Sequence, residues 1–139
     1  MTNPARLLIA AALFGLGAII FGTLAEHAFR AAVDAEQFRY LMTAVRYLQV
    51  HSAVLVGLAL SLMVGALPQR LARGLSRAFW ILLTGTTLFA SGIFLAIGTG
   101  IDQLTYLTPV GGGIMMLGWA QLAWSAWGAS ARDTTANLS

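Results

Sequence analysis

Four stretches of this chain are apolar for long enough to cross a bilayer, and almost nothing is left between them. Leu7 to Leu24 carries no charge. Val50 to Leu67, Phe79 to Ile101 and Leu107 to Trp127 together add one His and one Gln and again no charge. A spanning helix needs about 20 mostly apolar residues to cover a hydrocarbon core roughly 30 Å thick. Because lipid offers no hydrogen bonds to the backbone, each run has to satisfy its own amides, and helices do so. The expected architecture is all-α: one integral membrane four-helix bundle with spans at about 7–26, 48–67, 79–101 and 107–127 and a short polar tail over 129–139.

Composition agrees and removes several alternatives. With 58% hydrophobic and 9% charged residues, the chain is too apolar for an ordinary soluble domain. It has no cysteine, so disulfides, thiolate metal sites and a Cys nucleophile are excluded. The net charge of +3 comes without any basic stripe interleaved with aromatic residues, so nucleic acid is not an expected partner. Anionic lipid headgroups are. The first apolar run exceeds the 7 to 15 residues usual in a signal peptide, and Arg6 alone precedes it, so a retained helix is expected.

All eight basic residues are Arg. Four spans put Arg6, Arg70, Arg73, Arg77 and Arg132 on one side. Arg30, Arg39 and Arg46 fall on the other, diluted by Glu26, Asp34, Glu36 and Asp102. Basic residues are retained in the cytoplasm, which places both termini there and, for a bacterial protein, makes the inner membrane the expected location. Trp80, Trp124 and Trp127 then mark the inner interface, and Tyr40, Tyr47 and Tyr106 the outer one.

The connector between the first two spans has structure of its own. Asp34 with Gln37 three residues on forms a capping box, and Phe38, Leu41, Met42, Val45, Leu48 and Ser52 follow a helical period while Glu36, Arg39, Thr43 and Arg46 take other faces. The segment is an amphipathic connector helix. If it ran straight into the second span the rod would exceed the hydrocarbon core, so a bend near Tyr47 is expected, laying the connector along the outer interface.

Small residues indicate packing faces. Gly57, Ser61 and Gly65 recur every four residues on the second span, and Gly92, Ala96 and Gly100 do so on the third. The first span offers Ala11 with Gly15 and Ala18 with Gly22. Such faces let helices approach closely in lipid, either within the bundle or against a second copy or another subunit.

Several short motifs occur in a recognisable order: Phe21-Gly22 through Glu26-His27-Ala28, Thr43 and Arg46-Tyr47 through His51, Phe89 with Ser91-Gly92, Thr108-Pro109 with Gly111-Gly112, and Gly118-Trp119. In this order and spacing the chain resembles the small four-span membrane proteins of domain of unknown function 423, to which eukaryotic transmembrane protein 256 is also similar. The resemblance covers about Leu7 to Trp124. Ala25-Glu26-His27 stands where the family usually has Gly-Ala-His, and Tyr47-Leu48 where it has Tyr-Gln. The resemblance implies a fold and a membrane location and brings no established activity.

The polar inventory is short. Glu26, His27, Arg46, Tyr47, His51, Asp102 and Thr108 all fall at the outer ends of their spans and form one candidate polar cluster. Tyr47 and His51, four apart, share a helix face, whereas adjacent Glu26 and His27 diverge by about 100°. Hydrogen bonds tying the connector to the bundle are one role for each His, and a proton or ligand role is the other. Haem between His27 and His51 is disfavoured, since helices in contact at about 8 to 10 Å leave no slot for a porphyrin. No His pair has metal-binding spacing. Ser91 lies in an apolar span with no His at its depth, and Gly111 to Gly113 follow no strand, so neither a triad nor a nucleotide loop is expected. No cofactor and no enzymatic activity are expected. The leading reading is a non-enzymatic accessory or stabilising subunit, or a lipid- and protein-associating bundle, with a partner protein or a second copy in the membrane. The alternative is a small carrier or proton relay using Glu26, His27, His51 and Asp102.

Overall fold

A computed structural model describes residues 3–64 and 67–136, with side chains through Ala129. Four long helices run in sequence: α1, Pro4–Leu24; α2, Ala35–Met63; α3, Gln69–Thr99; and α4, Leu107–Ala136. A π-helical turn, Ala25–Phe29, prolongs α1, and a 3-10 turn, Asp102–Tyr106, leads into α4. Three helical stretches, Pro4–Phe29, Ala35–Met63 and Gln69–Thr99, are long and apolar enough to cross a membrane. The fourth expected span has the length, but Gly111 to Gly113 and Gln121 dilute its apolar content. It runs the same thickness as the companion of α3.

Local chemistry sets the ends. Pro4 opens α1 behind Asn3, whose side-chain oxygen accepts from the Ala5 amide at 3.0 Å. The capping box at α2 is complete: the Gln37 amide donates to Asp34 Oδ1 at 2.8 Å, and the Asp34 amide donates to Gln37 Oε1 at 3.3 Å. Gly100 ends α3 at φ 70°, in the left-handed region where a side chain would be strained.

Two boundaries differ from the sequence expectation. The segment Pro68 to Ala78, expected as a loop, is helical from Gln69 onward. Its arginines at 70, 73 and 77 occupy one outward face, while Ala72, Leu75 and Ala78 are buried. The bend expected near Tyr47 is absent, and α2 is one unbroken helix of 29 residues, about 44 Å long. Leu41, Ala44, Val45, Leu48, Ser52, Leu55 and Ala59 make a continuous buried stripe along it, and no Gly or Pro interrupts the ladder before Gly57. The amphipathic connector is therefore the first half of α2.

The helices alternate in direction. Leu7 and Ala11 share a core with Leu55, Leu58 and Ala59 and with Leu75, Phe79 and Leu82. Ala18 and Ala25 share the opposite core with Leu41, Val45 and Leu48 and with Ala90, Ile93 and Phe94. The long helices meet in chain order, α1 on α2, α2 on α3 and α3 on α4. The central pair is α2 with α3; α1 lies against α2 and reaches α3 through Phe21 and Phe94, whose rings are 4.6 Å apart. Among the described residues, α1 and α4 do not approach within 8 Å between Cα atoms.

The contact between α3 and α4 is the closest. A Cβ on Gly85 would lie 2.7 Å from the Met115 amide nitrogen and 3.0 Å from the Gly111 carbonyl oxygen, and one on Gly111 would collide with the backbone of Phe89. The backbones touch there because neither side chain intervenes. The seam runs from Gly74 against Ser125 through this crossing to Gly92 against Leu107 and Thr108, so the pair is antiparallel along its length. Along α1 and into the π-helical turn, Ala11, Ala18 and Ala25 are buried at intervals of seven, and Gly15 and Gly22 face Ser52 and Val45.

Candidate functional site

The candidate cluster divides, and its buried part lies deeper than expected. His51 is 4% exposed. Its neighbour Ser52 packs against Gly15, near the midpoint of α1, at 3.7 Å from a Cβ placed there. His51 thus sits at mid-height of the bundle and not at the outer mouth of a span. The difference follows from α2 starting at Ala35 and rising straight, which carries its residue 51 well below the outer end.

Around His51, three helices supply an aromatic setting. Tyr47, one turn earlier on α2, stacks on the imidazole at 5.9 Å with an interplanar angle of 12°. Phe89 of α3 lies 4.7 Å from the Tyr47 ring. Trp119 of α4 meets the imidazole nearly edge-on, at 6.1 Å and 66°, and its indole N–H donates to His51 Nε2 at 3.3 Å. Indole is a donor only, so Nε2 accepts and the ring hydrogen sits on Nδ1. Nδ1 then donates to the Tyr47 carbonyl oxygen at 2.9 Å. Both imidazole nitrogens are engaged, and a ligand at Nε2 would have to displace Trp119. Among the described residues, this is the one side-chain hydrogen bond that joins two different helices. It links α2 to α4, whose backbones do not meet.

The other buried polar side chains look inward to their own helices. The Ser52 hydroxyl donates to the Leu48 carbonyl at 2.6 Å, and the Thr86 hydroxyl to the Leu82 carbonyl at 2.8 Å. Thr108 Oγ1 is buried against Gly92 without a hydrogen-bond partner among the described residues.

The rest of the cluster is not brought to His51. In the π-helical turn, Ala25 takes the core position and Phe29 turns in against Phe94, with rings 6.3 Å apart at 77°. Glu26 and His27 are left outside that packing: Glu26 pairs with Arg30 at 2.6 Å, and His27 is exposed. Arg46 and Asp102 are exposed as well. The described residues contain no group of three or more His or acidic residues placed to hold a metal ion.

The small-residue faces divide too. Gly92 and Ala96 are buried, whereas Gly100 is exposed and serves as the C-cap of α3. Gly57 and Ser61 lie on the outer surface of α2, with the Ser61 hydroxyl donating to the Gly57 carbonyl at 2.8 Å; Gly65 falls outside the described residues. Sequence reasoning left Trp119 out of the cluster. The signal available for it was the Gly118-Trp119 pair: Gly118 lets α4 close on Leu82, with a Cβ there lying 2.7 Å from the Leu82 side chain, and the next residue turns toward α2.

Comparison with known proteins agrees with a membrane location. The chain is 25% identical over 115 residues to a UPF0382 membrane protein of Haemophilus influenzae, covering 83% of this chain and 88% of that protein. It is 25% identical over 114 residues to the UPF0382 inner membrane protein YgdD of Escherichia coli K12, covering 82% and 83%. A UPF0382 membrane protein of Staphylococcus aureus is likewise 25% identical over 115 residues, covering 83% and 89%. No solved structure matches. The model of the protein family of unknown function DUF423 matches residues 21–112, and this helical membrane protein belongs to that family.

Proposed function

We propose that this protein is a non-enzymatic component of the bacterial inner membrane that acts by association, as an accessory or stabilising subunit. The observation that carries the reading is the engagement of His51. An ionisable side chain at membrane depth is by default a candidate for ion or proton handling. Here both of its nitrogens are engaged: Nδ1 donates to the Tyr47 carbonyl of its own helix, and Nε2 accepts from Trp119 and joins α2 to α4. The carrier reading needs a polar route to that depth, and the cavity at the arginine end is lined by residues of 68–77 and 121–129 without His51.

Association has a surface to act through. Ala53, Gly57 and Ser61 are four residues apart and exposed on α2, away from the chain's own helices. A row of small residues facing lipid is suited to the close approach of another membrane helix, whether of a partner protein or a second copy. Both termini are assigned to the cytoplasm, because Arg6, Arg70, Arg73 and Arg77 share one end and positive charge is retained inside. The name of the Escherichia coli relative supports the inner membrane.

The test is copurification from native membranes with Gly57→Leu and Ser61→Leu. A stoichiometric partner, or self-association, that is present with wild type and lost with either variant supports association through this face. A pH-dependent proton or solute flux in liposomes that His51→Phe abolishes, without loss of the folded bundle, would replace this reading by the carrier.

A further inference from the structure

The arginine end carries a second site. An open cavity of about 660 Å³ lies between the start of α3 and the end of α4. Arg70, Arg73 and Arg77 line one wall, and Gln121, Trp124 and Ser125 the other, with Gly74 between them. The spacing of three and then four residues places the arginines on one helix face. Among the described residues, no acidic residue lines it and no ion pair joins these guanidinium groups to a carboxylate. Among the described residues Arg73 donates only its Nε hydrogen, to the Gln69 carbonyl at 3.4 Å. The floor is built by close packing, since a Cβ on Gly74 would collide with Ser125. Ser125 in turn is held by Gln121, whose Nε2 donates to its hydroxyl at 3.0 Å while the hydroxyl donates to the Gln121 carbonyl at 2.7 Å.

Two further features point to the occupant. Pro68 caps α3 without a side-chain hydrogen bond and lines the cavity, so the positive end of a 31-residue helix lies at its edge. Trp124 and Trp127 are 73% and 72% exposed at this level, where indoles sit at the boundary between headgroups and acyl chains. Planar guanidinium forks match phosphate oxygens in pairs. The cavity is far larger than the roughly 30 Å³ occupied by a single water, so it admits more than a bare ion.

We propose that this cleft binds the phosphate-bearing headgroup of an anionic phospholipid, with Arg70, Arg73 and Arg77 holding the phosphate oxygens and Trp124 covering the glycerol and upper acyl region. The assignment to the cytoplasmic leaflet rests on the orientation proposed above. The binding itself does not, and it is measured in neutral detergent where no leaflet exists.

The full-length protein is titrated with phosphatidylglycerol, and separately with phosphatidylcholine and inorganic phosphate, while its tryptophan fluorescence is followed. Phosphatidylglycerol is expected to bind at least about tenfold more tightly than phosphatidylcholine. Replacing all three arginines by Gln should weaken it about tenfold or more. Replacing them by Lys, which keeps the charge and loses the fork, should weaken it at least about threefold. Arg6→Gln, at the same end but outside the cleft, should change it by less than about twofold. Arg73→Gln alone, a single exposed change, provides the same comparison should the triple variant not fold. Equal binding of phosphatidylcholine, an equal loss with Arg6→Gln, or wild-type affinity in the Lys variant would overturn the site. Saturation by millimolar inorganic phosphate with the same fluorescence change would overturn the lipid and assign a soluble anion.

Discussion

The two ends of the bundle handle arginine in opposite ways. At the end bearing the π-helical turn, Arg30 pairs with Glu26 at 2.6 Å and Arg39 with Glu36 at 3.5 Å, while Arg46 is exposed without an ion pair among the described residues. Their guanidinium groups also lie over the Phe38 and Tyr40 rings, at 5.2 and 5.1 Å. At the other end, Arg70, Arg73 and Arg77 gather along one face of α3 and meet no carboxylate among the described residues. A matched exposed pair is electrically quiet and contributes about 0 to 1 kcal/mol. Three arginines that meet no carboxylate among the described residues, beside a helix start without a side-chain cap, concentrate positive charge at one end, which is what the proposed anion site and the proposed cytoplasmic placement of that end draw on. The arrangement of charge, more than its amount, distinguishes the ends.

The comparison presumes that the helices hold these ends in fixed register, and the severest way to break it is at the α3 to α4 crossing. Gly111→Leu would drive a side chain into the Phe89 backbone. Because backbone has little room to yield, the loss should exceed the roughly 1 to 3 kcal/mol of ordinary overpacking, and the variant should fail to give a monodisperse bundle in size-exclusion chromatography. Wild-type behaviour would show that the seam is not rigid.

A smaller loss is expected from His51→Phe, which leaves the Trp119 N–H without its acceptor at about 1 to 3 kcal/mol, read by denaturant unfolding in mixed micelles. Trp119→Phe should cost a similar amount. The double variant should cost less than the two single losses added together, because the second change no longer breaks a bond. Additive losses would mean that the two rings contribute separately.

Two milder changes address the ends directly. With Ser76→Cys as the reporter, wild type should label only from the cytoplasm. Removing Arg70, Arg73 and Arg77 together should produce a fraction labelled from the periplasm. Periplasmic labelling of the parent reporter would reverse the assigned orientation. The smallest effect belongs to Glu26→Gln, which breaks the exposed pair with Arg30 and should change stability by less than about 0.5 kcal/mol, and less still in high salt. A larger loss would show that the paired end is structural after all.

Much of the fold was legible in the order of residues. The apolar runs, the Asp34 and Gln37 box and the short link from Asp102 to Tyr106 each carry a local cause, and local causes survive tertiary packing. The start of α3 was hidden because Arg70, Arg73 and Arg77 interrupt the apolar run, although they share one face of a helix that extends past it. The depth of His51 was hidden for a different reason. It depends on how far α2 rises above its neighbours, which is set by the stripe from Leu41 to Ala59 packing on α1 and α3 and by no feature near residue 51 itself. Tyr47 and His51 were identified from their helical spacing; Trp119, 68 residues further on, was accessible only through three-dimensional register.

The consecutive packing of the helices also orders the birth of the molecule. Each principal interface joins consecutive helices, so α1 can meet α2, and α2 can meet α3, as synthesis delivers them, with little entropy spent on closing long loops. The bond from Trp119 to His51 is the exception, since it waits for α4. Until α4 arrives, the imidazole has no indole partner, and the incomplete chain presents a polar atom that its membrane-embedded core does not satisfy.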